Sequence, residues 1–224
     1  MKLLLTDSGI RNASIQQALV ELLGKPIAES TALCIPTAGY GAPDADPFLP
    51  WNFVAGHAPS PMTGLGCKAV GILELTALPS IAETTWTTWV RQADVLLVNG
   101  GDPLYLAHWL RESGLAELLP ELTDTVYVGL SAGSLAVTPK IGDFFVGWRP
   151  PSGDDRGLGL VDFSIFAHLN NPRCPENTEA AAQEWAASIG GPAYAIDQQS
   201  AIQVVDGAVD VISEGEWRFF PPAT

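Results

Sequence analysis

The sequence predicts an α/β protein, a three-layer sandwich with a mostly parallel sheet at its centre. Three observations carry that expectation. Short apolar runs alternate along the chain with segments of helical period, the order that βαβ units produce. Apolar residues make up 47% and charged residues 16% of 224, which is enough apolar surface to build a core and excludes a disordered chain. No apolar run approaches the roughly 18 residues that a membrane-spanning helix needs. The length fits one α/β domain over 1–224.

The first strand is KLLLTD at 2–7. In SIQQALVELLGKP, Ile15, Ala18, Leu19, Leu22 and Leu23 recur at helical spacing; Ser14 can cap the start, and Gly24 with Pro26 ends it. ALCIPTA at 32–38 is the second strand. From Tyr40 to Lys68 the chain is rich in Pro and Gly, too irregular for a regular element, and reads as a long excursion or lid beside a site. Order returns with a strand at 69–75, a helix from Ser80 to Gln92, and the apolar run DVLLVNG at 94–100. A helix within PLYLAHWLRESG, a strand at 125–130, a small-residue segment after Ser131 and a strand FSIFAHL at 163–169 follow. TEAAAQEWAAS at 178–188 is helical. AYAID, AIQVVDGAVDVI with an Asp206-Gly207 hairpin turn, and EWRFF read as strands that finish the sheet with an antiparallel edge.

Charge narrows the possible partners. Eleven Lys and Arg against 25 Asp and Glu give a net charge of −14, which repels nucleic-acid backbones and anionic lipid. Neither nucleic acid nor a membrane is an expected partner. The opening MKLLLTDSG is too short for the apolar region of a signal peptide, so a cytoplasmic location is expected. Cys34, Cys67 and Cys174 are odd in number and widely spaced, and with His57, His108 and His168 they offer no ligand cluster; neither a metal nor an organic cofactor is expected.

The sharpest chemical signal is GLSAG at 129–133, a Gly-x-Ser-x-Gly after an apolar strand and before a segment able to start a helix. In that context a serine is held on a tight turn with free N–H groups beside it, as a nucleophile requires. A base is needed, and His168, at the end of FSIFAHL, sits where active sites gather in parallel sheets. His57 lies in the excursion and His108 within an amphipathic helix, placements that favour solvated or packing roles. NGGD at 99–102 offers two consecutive glycines whose N–H groups could face an oxyanion. Asp197 ends another apolar run and is the favoured third residue among many acids after Ser131.

NGGDPLYL, GLSAGSLA, GLGLVDFSIFAHLNNP and YAIDQQSAIQV occur in that order across roughly residues 30–205, and with them the chain resembles the dipeptidase E (aspartyl dipeptidase) family of serine peptidases, relatives of cyanophycinase. The resemblance implies a fold like that of class I glutamine amidotransferases, with Ser in place of their elbow Cys. It implies Ser131 as nucleophile, His168 as general base, and the backbone of Gly100, Gly101 and Ala132 facing the oxyanion. The family's third residue is an acid, often Glu, in the segment that here reads AIDQQSAI; Gln198 stands at the best-matching position, with Asp197 beside it and Asp143 as a substitute.

The family's substrate-binding Arg, downstream of the His, has no counterpart, because no Arg occurs between Pro175 and Trp217. Arg149 and Arg173 are the nearest replacements, and Asp102 and Gln198 are further candidates for substrate contact. Without a fixed cation an acidic side chain is poorly held, so neutral dipeptides are expected to match or exceed Asp-initiated ones. The expectation that the resemblance supports is a dipeptidase-type serine hydrolase acting on a small peptide substrate, with a second copy of the chain as a further partner. An esterase or acyl transferase using the same serine, and a non-catalytic small-molecule-binding protein, are the rival readings.

Overall fold

A computed structural model describes residues 1–41, 45–151 and 153–222. In chain order the regular elements are β1 (Lys2–Thr6), α1 (Ala13–Leu23), β2 (Thr31–Ile35), α2 (Phe48–Val54), β3 (Ala69–Ile72), α3 (Glu83–Gln92), β4 (Val95–Val98), α4 (Pro103–Glu112), α5 (Leu115–Leu118), β5 (Val126–Leu130), α6 (Ala132–Leu135), β6 (Ser164–Phe166), α7 (Glu179–Ile189), β7 (Ala193–Ile196), β8 (Ser200–Val205), β9 (Ala208–Ser213) and β10 (Trp217–Phe220). The main sheet has seven strands in the order β3-β2-β4-β5-β1-β8-β9. Its first five members are parallel, and β8 and β9 close one side antiparallel. This is the class I glutamine amidotransferase-like architecture.

Strand alternation explains the layers. Leu3 and Leu5 of β1, Leu96 and Val98 of β4 and Tyr127 of β5 point to one face and pack with Leu106 and Leu110 of α4. Leu4, Leu97 and Val128 point to the other face and meet Ile15, Leu19 and Leu22 of α1. With helices on both faces, the central parallel strands β1, β4 and β5 are buried almost throughout, which is why they read as continuous apolar runs, while β3 at the edge is largely exposed.

Three expectations are corrected. The tail does not simply extend the main sheet: β7 and β10 leave it and join β6 in a separate three-stranded sheet, β10-β7-β6, whose core is Phe166, Trp185 and Ala195. Asn12, not Ser14, caps α1 by accepting from the Ile15 N–H, while Ser14 donates to Glu214. The strand expected at 163–169 stops at Phe166, because His168 and Asn170 take positive φ angles of 60° and 52°. The excursion from Tyr40 to Lys68 contains α2 and short 3₁₀ turns, with 42–44 outside the described residues.

Register places the chemistry. Thr6 pairs with Leu130, and Val98 pairs with Gly129. The next residues on three adjacent strands are therefore Asp7, Ser131 and the Asn99-Gly100 turn, gathered at the carboxyl ends of β1, β5 and β4.

Candidate active site

Ser131 sits between β5 and α6 at φ 49°, ψ −111°, a conformation that a residue with a Cβ adopts only under constraint. Its own N–H donates to the Thr6 carbonyl at 3.0 Å, which fixes the turn to β1. A Cβ on Gly133 would lie 2.5 Å from the Val98 carbonyl oxygen, so only glycine lets α6 pass this close to β4. The elbow sequence thus meets the packing that its residue types require.

The Ser131 Oγ lies 2.8 Å from His168 Nε2, within hydrogen-bonding distance. His168 Nδ1 lies 3.2 Å from Oδ2 of Asp7 and 3.1 Å from its Oδ1, and the His168 backbone N–H also donates to Oδ1. Asp7 is fully buried; besides His168 it accepts from Ser8 Oγ at 2.8 Å. A buried carboxylate is tolerable only with donors of this kind. Burial of the imidazole disfavours its charged form, but the hydrogen bond and the charge of Asp7 outweigh it, and the net effect raises the His168 pKa above its ordinary value.

The acid beside the imidazole is therefore Asp7, and the expectation for Asp197 is corrected. Asp197 accepts from Gln199 N, Ser200 Oγ and Glu216 N at 3.0, 2.6 and 2.8 Å, and so ties together the turn after β7. It makes no bond to His168. Asp143 pairs instead with Arg149 at 2.7 Å, on the exposed surface. The sequence did carry a signal for Asp7: KLLLTD is an apolar strand ending in an acid, like AYAID. Its place before Ser131 in the chain does not weigh against it, because a triad is defined by geometry and not by chain order.

On the opposite side of Ser131 stands the turn after β4. Asn99 N and Asp102 N donate to the Ile35 and Ala38 carbonyls, but the N–H groups of Gly100, Gly101 and Ala132 bond to no described residue. Gly101 has φ 141°, and a Cβ there would collide with the Ala38 carbonyl, so the turn depends on glycine. Asp102 caps α4 through the Tyr105 N–H and accepts from Gly147 and Trp148 N–H at 2.7 Å each, which anchors the 147–148 segment over the helix start.

A cavity of about 440 Å³ opens on Ser131 and His168. Its wall includes Gly100, Gly101 and Asp102 together with Leu49, Ala58 and Leu130, so the Pro-rich excursion does form one side of the site. Arg149, Arg173 and Gln198 are not in that wall. Arg173 and Gln198 line an adjoining cleft that shares Ser8, Pro59 and Ser60 with it. His57 is exposed, and His108 lines a separate cavity and stacks against Trp109 and Trp148. Burial pushes the Cys34 thiol up to about 11, so it stays protonated at neutral pH. Among the described residues no group of His, Cys, Asp and Glu could hold a metal, and no helix is long and apolar enough to cross a membrane.

The model of Peptidase family S51 matches residues 3–212. An uncharacterized peptidase of Listeria monocytogenes serovar 1/2a is 30% identical over 122 residues, 52% of this chain and 58% of that protein. An uncharacterized peptidase of Listeria innocua serovar 6a is 27% identical over 126 residues, 54% of this chain and 59% of the other. Each match thus spans less than two thirds of the relative's length. Among solved structures, a protein from Listeria monocytogenes EGD-e named for peptidase E superposes with a TM-score of 0.69 at 23% identity, covering 96% of this chain and 98% of its own. A peptidase from an acI-B1 Actinobacterium gives a TM-score of 0.65 at 20% identity, covering 100% and 95%. These two likenesses carry the fold.

Proposed function

The chain belongs to peptidase family S51, and from that premise we propose that it is a serine hydrolase of the dipeptidase type, cleaving short peptides through an acyl-enzyme on Ser131. The observation that carries the reading is the line of contacts from Ser131 Oγ to His168 Nε2 at 2.8 Å and from His168 Nδ1 to the buried Asp7 carboxylate. Asp7 holds the imidazole with its Nδ1 protonated and leaves Nε2 free to accept. His168 takes the Ser131 proton as Oγ attacks the amide carbon. The free N–H groups of Gly100, Gly101 and Ala132 hold the oxyanion, a contribution worth about 2.7–4 kcal/mol per donor where it has been tested. His168 then gives its proton to the departing amine, and water, deprotonated by the same imidazole, releases the acid.

The cavity wall bears on specificity. Among the described residues it contains Asp7, Asp46 and Asp102 but no Lys or Arg. A carboxylate side chain on the acyl residue would find no charge-assisted partner there, and neutral side chains fit the apolar contribution of Leu49, Ala58 and Leu130.

The test is turnover of a dipeptide library by the wild type and by Ser131→Ala, His168→Ala and the double variant. Each single change is expected to lower kcat/KM by about a thousandfold or more, and the double variant to lose little beyond that, because the pair acts as one unit. Additive losses, or turnover that survives Ser131→Ala, would contradict the reading.

A further inference from the structure

The adjoining cleft, about 320 Å³, is lined by Ser8, Arg11, Pro59, Ser60, Arg173 and Gln198, among others, and among the described residues no carboxylate lies in its wall. The cavities that contain His108, Tyr194, Trp185 and Ser131 each have at least two carboxylates in their walls. Lys25, Arg91, Arg149, Arg156 and Arg218 are each paired with a carboxylate, and Lys2, Arg111 and Lys140 bond to backbone carbonyls away from this cleft. In the cleft, Arg11 donates to the Pro59 carbonyl at 3.1 Å, and the Arg173 guanidinium bonds to no described residue. Two guanidinium groups without a carboxylate partner thus share a cleft that adjoins the cavity of Ser131 along Ser8, Pro59 and Ser60.

Their side of the nucleophile decides what they can meet. In the sheet, β5 lies between β4, which carries Gly100 and Gly101, and β1, which carries Asp7. The oxyanion is held on the first side and His168 on the second. Since the imidazole must protonate the departing nitrogen, the leaving group lies on the second side. Arg11 follows Asp7 in the loop after β1. Arg173 follows His168 in a turn fixed by Asn171 N to the His168 carbonyl at 3.1 Å, by Arg173 N to Asn171 Oδ1 at 2.9 Å, and by Asn177 Nδ2 to the Ala167 carbonyl at 2.9 Å.

We infer that Arg11 and Arg173 form a subsite for the free α-carboxylate of the leaving amino acid, so that the site selects dipeptides with an unblocked carboxyl end. The inference rests on the serine hydrolase reading and adds the end of the substrate that is recognised. In a dipeptide the leaving nitrogen and the carboxylate belong to one residue, which spans at most about 3.6 Å, so the charge falls just beyond His168. Planar guanidinium groups match a carboxylate in charge and geometry.

The test compares kcat/KM for a neutral dipeptide and for the same dipeptide with its carboxyl end amidated. The wild type is expected to favour the free acid by about tenfold or more, chiefly through KM, and the preference should shrink as salt is raised, because both guanidinium groups are exposed. Arg173→Ala should bring the ratio toward one, and Arg173→Lys should leave an intermediate ratio. A wild-type ratio near one, which needs no variant, overturns the subsite. So does an unchanged ratio in Arg173→Ala, or a loss confined to Asp-initiated peptides, which would place the cation on the acyl side chain instead. Hydrolysis of neither peptide would refute the hydrolase reading, and the subsite with it; hydrolysis of both at equal efficiency removes the subsite alone.

Discussion

The carboxyl ends of β1 and β7 look alike in composition and do different work. Each is an apolar run that ends in an aspartate, and each aspartate accepts several hydrogen bonds. Asp7 extends β1, which lies against β5 in the main sheet, so its carboxylate emerges beside the Ser131 elbow and under the His168 ring. Asp197 extends β7, which belongs to the smaller sheet. Although Leu169 N bonds to the Ile196 carbonyl and brings the His168 turn alongside, the Asp197 side chain accepts from Gln199 and Ser200 in its own loop and from Glu216 just before β10. Which strand lies next door, and not the local residue pattern, sets the role of each acid.

Replacing each acid by its isosteric amide probes that difference most strongly. Asp7→Asn removes the acceptor that holds the imidazole tautomer, and kcat is expected to fall by about a thousandfold or more. Asp197→Asn should change kcat by less than about threefold while lowering stability by about 1–3 kcal/mol through its weakened turn. Steady-state kinetics and denaturant titration of both variants check this; a comparable loss of kcat in the two would break the distinction.

The pH profile sharpens it. The base must be neutral, so kcat/KM rises as His168 loses its proton. Because Asp7 raises that pKa, the midpoint is expected above the unperturbed value of about 6.5. In Asp7→Asn only burial remains, and the midpoint of the residual activity should move below about 6.5. Stability follows the same group with a definite sign. A raised folded pKa contributes stability that is fully present below about pH 6.5 and is lost as pH rises through the folded value. The Tm difference between the wild type and His168→Gln should therefore narrow from about pH 6.5 upward; a difference that widened would contradict the pairing.

Much of this was legible in the sequence, and the gaps have physical reasons. Buried parallel strands and the GLSAG turn are local patterns, and both stand where they were expected. His168 was legible because it closes an apolar run, although its positive φ, which turns the ring toward Ser131, was not. Asp7 was missed because its function depends on β1 lying beside β5, a pairing between residues more than 120 positions apart. The division into two sheets was hidden for the same reason: β7 and β8 are both short apolar strands joined by a tight turn, and only tertiary packing sends them to different sheets. Arg173 is legible as a cation close to His168 in sequence, but the arginine that shares its cleft, Arg11, is 162 residues away, and nothing local links the two.

Smaller effects extend the comparison to specificity and to capping. The cavity wall without a cation predicts that neutral dipeptides equal or exceed Asp-initiated ones in kcat/KM; a hundredfold preference for Asp at the amino-terminal position would contradict it. At the start of α1, Asn12→Ala should cost about 1 kcal/mol, because the cap to Ile15 N is lost. Ser14→Ala, which removes only an exposed bond to Glu214, should stay within about 0.5 kcal/mol. Chemical denaturation of the two variants measures the gap, and equal costs would return the cap to Ser14.

The central claim is that Ser131 is a nucleophile activated by His168 on Asp7. Its most direct test is the time course of labelling by a serine-directed phosphonate, with the adduct mapped by mass spectrometry. The expected result is a single adduct on Ser131 in the wild type, forming at a rate that falls to background in His168→Ala and is strongly reduced in Asp7→Asn. An adduct on another serine such as Ser134, or no adduct at all, would contradict it.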